Sequence, residues 1–175
     1  METCHLVVPS LKWKNQILSY KEAFSNEHLH GGGKLQQFET VKEWLEHIKA
    51  VSSYGTSHTE RSPSSTFLCI REKDQQMVGI CTIRHDLNHE HLKNYIGHIG
   101  YSIHPEERRK GYATEQLRLA LLEAKKLGIA QVLITAADWN IASQKTILAN
   151  GGVYEDTRID PNSSERMLRY WIENL

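Results

Sequence analysis

The chain has 175 residues, 39% of them hydrophobic and 24% charged, a length that suits one domain over 1–175, able to remove about 70% of its unfolded-state surface from water without disulfides or metal. Lysine plus arginine and aspartate plus glutamate both number 21, so no global field draws in nucleic acid or an anionic bilayer, and neither is expected as a partner. Cys4, Cys69 and Cys81 leave an odd cysteine and form no CxxC pair, which suggests neither a disulfide framework nor a zinc knuckle and fits a reduced, cytoplasmic setting.

The opening "METCHLVVPSLKW" carries no basic region ahead of a long apolar run, and no stretch approaches a membrane-spanning length, so export and membrane insertion are not expected. "CHLVVPS" predicts a short strand stopped by Pro9, which lacks the N–H a ladder needs. Residues 10–25 predict a helix with Leu11, Leu18 and Phe24 as its apolar positions, broken by the loop "SNEHLHGGGK". Thr40 and Glu43 form a T-x-x-E capping box that opens a second helix with Val41, Trp44, Leu45 and Ile48 on its core stripe. Residues 52–65, rich in Ser, Thr, Gly and Pro, read as a surface connection.

"STFLCIREK" and "QMVGICTIRH" predict an antiparallel hairpin around "DQQ". A turn centred on Gln75 sets Cys69 opposite Cys81, both as buried, reduced core residues. After the polar link "DLNHEHLKN", "YIGHIGYSIHP" predicts a strand stopped by Pro105. "ATEQLRLALLEAKKLG" predicts the longest helix, with Leu117, Ala120, Leu121, Ala124 and Leu127 on one face, Lys125 and Lys126 in its last turn and Gly128 as a left-handed cap. "AQVLITAA" reads as a buried strand, "NIASQKTILANGG" as a short helix, and "VYEDTRI" and "ERMLRYWIE" as two closing strands. This order predicts an α/β (mixed α+β) fold, a mixed sheet of six to seven strands with helices on both faces.

"EERRKGYATEQL" holds three consecutive cations, Arg108, Arg109 and Lys110, just ahead of a helix N-terminus. That end already carries roughly half a positive charge, and each added cation costs about 0.3–1 kcal/mol unless an anion sits there too. Strand, proline, charged turn, glycine and helix make an anion seat of free backbone N–H groups, and phosphate is the anion that fits. Gly111 allows close backbone approach and Ala113 is small. The plain alternative is that Glu106 and Glu107 neutralise the turn. Neither the mononucleotide G-x-x-x-x-G-K-[ST] loop nor G-x-G-x-x-G occurs.

Arg108 to Ala113 matches R-x-x-G-x-A and resembles the pyrophosphate loop, [QR]-x-x-G-x-[GA], of the GCN5-related N-acetyltransferase family. "IGYSIHP" is similar to that family's fourth strand, and "DWNIASQKTILANGG" to the N-x-x-S helix after its fifth. The resemblance is specific over residues 95–153, and elsewhere only element order agrees. It implies the family's acyl-CoA N-acyltransferase fold and an acetyl-CoA site whose pantetheine arm lies where the fourth and fifth strands splay apart. The implied contacts are the backbone of Tyr101, Ser102 and Ile103 for the arm, and the amides of Arg108, Arg109, Lys110, Gly111, Tyr112, Ala113 and Thr114 for the pyrophosphate. Asn140 and Ser143 line the arm's other side, although Asn140 also suits a helix N-cap.

The implied reaction is direct transfer of acetyl to a small-molecule amine in a ternary complex, with no metal. A lysine-like amine costs about 4–5 kcal/mol to neutralise at pH 7, which a general base lowers. His98 stands where some relatives carry a fourth-strand Glu, and Thr135 where others have a Glu base. His98 is the candidate base, and Tyr101 and Tyr112 are candidate acids if their hydroxyls turn inward, while a histidine packed on the sheet is the alternative for His98. Ile147 stands where relatives often have a tyrosine acid, which keeps open a catalytically silent acyl-CoA-binding module. "HLH" at 28–30 and "HEH" at 89–91 read as solvated loop histidines. The first two helices with the 52–65 connection, and the last hairpin, are expected to wall the acceptor site, and a homodimer is compatible with the chain.

Overall fold

The computed structural model describes residues 2–53 and 62–175. Most of the 52–65 connection, expected to wall the acceptor site, lies outside the described residues. Strands β1 (Cys4–Val7), β2 (Ser64–Arg71), β3 (Gln76–Arg84) and β4 (Ile99–Ile103) form an antiparallel sheet in that order. Strands β5 (Gln131–Ala137), β6 (Val153–Ile159) and β7 (Arg166–Glu173) form a second, in the order β5-β7-β6. Strands β2 and β3 read as near-continuous apolar runs because both faces of their sheet are covered. Leu68, Ile70, Met77 and Ile80 pack against helices α1 (Lys14–Ala23) and α2 (Val41–Ala50). Cys81 and Ile83, on the opposite face, pack against α3 (Tyr112–Lys126).

The α2 box forms as predicted, with Thr40 Oγ1 accepting the Glu43 N–H at 3.2 Å and the Glu43 carboxylate accepting the Thr40 N–H at 3.3 Å. In α1 the stripe differs from the prediction. Trp13, Ile17, Tyr20 and Phe24, spaced four, three and four apart, are buried, while Leu11 and Leu18 are exposed. Leu127 also faces water, because α3 ends at Lys126 and Gly128 reverses the chain at φ +79°.

The hairpin turn occupies 72–75, one to two residues earlier than predicted, because Gln75 takes φ +57° and pairing begins at Arg71 opposite Gln76. A bulge between Cys69 and Ile70 completes the offset, so Cys69 opposes Gly79 and Cys81 opposes Phe67 rather than each other. All three cysteines are nevertheless buried and free, and burial pushes the Cys81 thiol up to about 12.

The strand predicted from Tyr95 starts only at Ile99, since Leu92–Ile96 coil into a π-helical turn. Thr135 Oγ1 donates to the carbonyls of Tyr95 (2.8 Å) and Ile96 (2.9 Å), and the Gly97 N–H returns to Leu92 O at 2.7 Å. Gly97, at φ +82°, lies so close to Leu133 that a Cβ would overlap its carbonyl. There the two sheets touch, through a bridge between Gly97 and Ile134 and a bond from the His98 N–H to Leu133 O at 2.7 Å. Beyond that point β4 and β5 belong to separate sheets, so the junction is the closed end of a fork.

Candidate functional site

The fork presents an unpaired strand edge. His98 O accepts the Arg84 N–H at 2.7 Å and the His104 N–H donates to Val78 O at 2.8 Å, so by alternation the even-numbered residues of β4 bond to β3 while Ile99, Tyr101 and Ile103 turn their backbone groups toward the fork. The Ile103 carbonyl is already taken by Arg108 Nε at 3.2 Å. Ser102, grouped in the sequence with Tyr101 and Ile103, faces the other way. Its carbonyl accepts Gln116 Nε2 at 3.2 Å and its hydroxyl pairs with Tyr20 at 2.9 Å.

Directly after β4, the turn Pro105–Glu107 leads into Arg108, then Arg109 at φ +61° and Gly111 at φ +88°. Among the described residues no side chain caps α3, and its first internal bond from this turn is the Glu115 N–H to Gly111 O at 3.2 Å. The amides of Tyr112, Ala113 and Thr114 therefore have no helical acceptor and point out of the helix end. The cations are less free than their spacing suggests. Arg108 pairs with Glu27 at 2.7 Å and lies over the Phe24 ring, and Lys110 pairs with Glu107 at 3.0 Å. Arg109 is exposed and forms no ion pair among the described residues. The Tyr112 side chain is buried, its hydroxyl accepting from Arg71 at 3.0 Å and donating to Glu2 at 2.7 Å, so only its amide faces the seat.

Helix α4 (Ile141–Ala149) follows β5 on the other arm of the fork. Asn140 caps it, its Oδ1 accepting the Ser143 N–H at 3.1 Å. The Ser143 hydroxyl meets the Tyr101 hydroxyl at 2.9 Å, which brings Tyr101, Asn140 and Ser143 together as expected. Burial pushes the Tyr101 phenol up to about 12, against the opposing hydrogen bond of Ser143. Ile147 is fully buried in the core and carries no chemistry.

His98 sits inside the junction at 7% exposure, its Nδ1 accepting the Leu133 N–H at 3.0 Å. Burial, helped by the charge of Arg84, lowers its pKa to about 4, so the ring is neutral near pH 7. Residues that the sequence did not single out complete the surroundings. Glu27 fixes Arg108, Tyr20 reaches Ser102, and Arg71 braces Tyr112 and Glu107. Each belongs to an element far away in sequence, so no local pattern signals it. Trp139 is 65% exposed and donates its indole N–H to Glu165 at 2.8 Å, whereas Trp13 is core. A cavity of about 390 Å³ opens between α1 and the turn after β4, lined by Ser19, Glu22, Ala23, His104, Pro105 and Glu106.

The sequence profile of an acetyltransferase (GNAT) domain matches residues 17–153. No curated protein matches the chain. Among solved structures, spermidine/spermine N-acetyltransferase SpeG of Vibrio cholerae superposes with a TM-score of 0.66 at 14% identity, covering 98% of this chain and 94% of its own. The microcin C7 self-immunity acetyltransferase MccE, in complex with acetyl-CoA and AMP, gives 0.65 at 16% identity, with 97% and 92% covered. The ribosomal L7/L12 alpha-N-protein acetyltransferase RimL, in complex with coenzyme A, gives 0.64 at 15% identity, with 98% and 94% covered.

Proposed function

Because the chain belongs to the acetyltransferase (GNAT) family, we propose that it transfers acetyl from acetyl-CoA to a primary amine, directly and within a ternary complex. One observation carries the reading: the uncapped N-terminus of α3, with Gly111 at φ +88°, follows immediately on the strand whose Tyr101 and Ile103 backbone faces an open fork. A diphosphate joined to an extended amide-bearing arm fits that run of groups, in which the Ile103 carbonyl is already engaged by Arg108 Nε. Arg109, outside the ion pairs, adds charge at the seat.

Bound there, acetyl-CoA supplies the electrophilic thioester. In this reading the Tyr101 N–H stabilises the oxyanion, a role in which one well-placed donor is worth about a hundredfold to a thousandfold in rate. The Tyr101 hydroxyl, held by Ser143, donates toward the departing sulfur. The role expected of His98 changes. With Nδ1 committed to Leu133 and a pKa of about 4, the ring is a poor proton acceptor at neutral pH, and we assign it the positioning of β4 against β5.

The acceptor is taken to be a small-molecule amine, which the spermidine/spermine-acetylating neighbour supports and the protein-acetylating one widens. Release of free thiol from acetyl-CoA, screened across polyamines, amino acids and peptide N-termini, tests the reading, with intersecting initial-rate lines expected for a ternary complex. Burial of Ile147 in the core favours one second reading, an acyl-CoA-binding module without turnover. Coenzyme A affinity with no thiol release for any acceptor would select it.

A further inference from the structure

With His98 committed to the junction, the proton of the acceptor ammonium needs another destination. We infer that His30, on the loop between α1 and α2, is the general base of the transfer. The inference rests on the transferase reading above and adds to it the residue that receives the proton.

The loop is held rigidly against β4. Leu29 is buried and its N–H bonds Gln36 Oε1 at 2.9 Å. Thr82 Oγ1 donates to Gly31 O at 2.9 Å, and the Trp44 indole donates to Gly32 O at 3.0 Å and Gly33 O at 3.1 Å. Gly31 lies flat on Gly100, where a Cβ would overlap the Gly100 carbonyl and the Tyr101 Cα. His30 is therefore seated one residue from a contact with the strand position that precedes Tyr101, the residue whose N–H faces the fork.

The other arm is tied to the same point. Glu165, in the turn between β6 and β7, accepts from Trp139 just beyond β5, and its charge is felt by His30. The His30 ring is exposed, yet desolvation is the main cause of its lowered pKa, a combination expected of a ring on the wall of an open cleft. Among the described residues, no hydrogen bond engages either ring nitrogen. His28 stands edge-on at 4.4 Å between ring centroids.

The charged groups acting on His30 are His28, which lowers its pKa, and Glu165 and Glu27, which raise it. A neutral imidazole takes a proton from the acceptor ammonium. The freed amine lone pair then attacks the thioester carbonyl carbon, so that the C–N bond forms and the C–S bond breaks. The electron pair leaves with sulfur, which takes the Tyr101 hydroxyl proton; the second proton, shed by the nitrogen as the amide forms, restores that phenol through solvent, and the imidazolium releases the first to solvent.

The test compares kcat/KM against pH, corrected for the acceptor's own ionisation, for wild type, His30→Gln, His28→Gln and Glu165→Gln. His30→Gln is expected to lose about 10²- to 10⁴-fold in kcat/KM together with the acid limb, while coenzyme A affinity stays unchanged. His28→Gln moves the limb to higher pH and Glu165→Gln to lower pH, and added imidazole partly rescues His30→Ala. If wild type is active and His30→Gln keeps both rate and limb, the role of His30 is overturned and the transferase reading stands. If wild type binds coenzyme A but acetylates no amine, both fall.

Discussion

His98 carries the clearest single-residue prediction. Its folded pKa of about 4 lies below the usual 6.5, so the unfolded chain binds the extra proton first, and stability is lost as pH falls from about 6.5 toward 4. The full loss is about 3 kcal/mol at most. His98→Asn, whose side-chain carbonyl can accept the Leu133 N–H without titrating, should flatten the melting temperature between pH 7 and 5, measured by circular dichroism. His98→Ala should cost about 1–3 kcal/mol at pH 7 by leaving that buried amide unpaired. Tyr101→Phe should lower kcat and leave coenzyme A affinity within about twofold, since the backbone groups facing the fork remain. The sequence disclosed which residue types gather here, because R-x-x-G-x-A and N-x-x-S are local spacings. It offered a sheet-packed His98 as the alternative to a base, which the structure bears out, but could not disclose the ring's partner, the Leu133 N–H 35 residues away.

At the scale of elements, α2 and α3 were legible because capping residues and helical periodicity are written locally. The hairpin turn and the start of β4 were not. Gln75 adopts a left-handed conformation without being glycine, and the coil at Leu92–Ile96 depends on a hydroxyl from β5. Nor did composition reveal that the glycines after His30 allow a loop to lie on β4. Gly31→Ala is therefore expected to destabilise the chain by about 2 kcal/mol or more, through backbone overlap and an unfavourable positive φ. Urea titration would read the loss, with acetyl transfer falling further than coenzyme A binding. Thr40→Ala, which removes the box of α2, should cost about 1 kcal/mol and leave coenzyme A affinity unchanged.

For the molecule as a whole, the alternation of strands and helices announced a layered fold, and the seven strands and two-sided helical cover of the described residues agree with it. The splay of β4 from β5 was reached only through the family resemblance, since it is a relation between the two strands rather than a property of either, and the one mixed sheet expected is instead a four-stranded and a three-stranded sheet, both antiparallel. Among the described residues no helix is long and apolar enough to cross a membrane. The functional reading depends on the fork and the open end of α3 acting together on one ligand. Isothermal calorimetry of coenzyme A against wild type and Gly111→Glu tests that dependence most directly. We predict saturable binding to wild type and a loss of at least about a hundredfold in the variant, with its far-ultraviolet spectrum preserved. No heat of association at millimolar coenzyme A, or equal affinity in a folded Gly111→Glu, would contradict it.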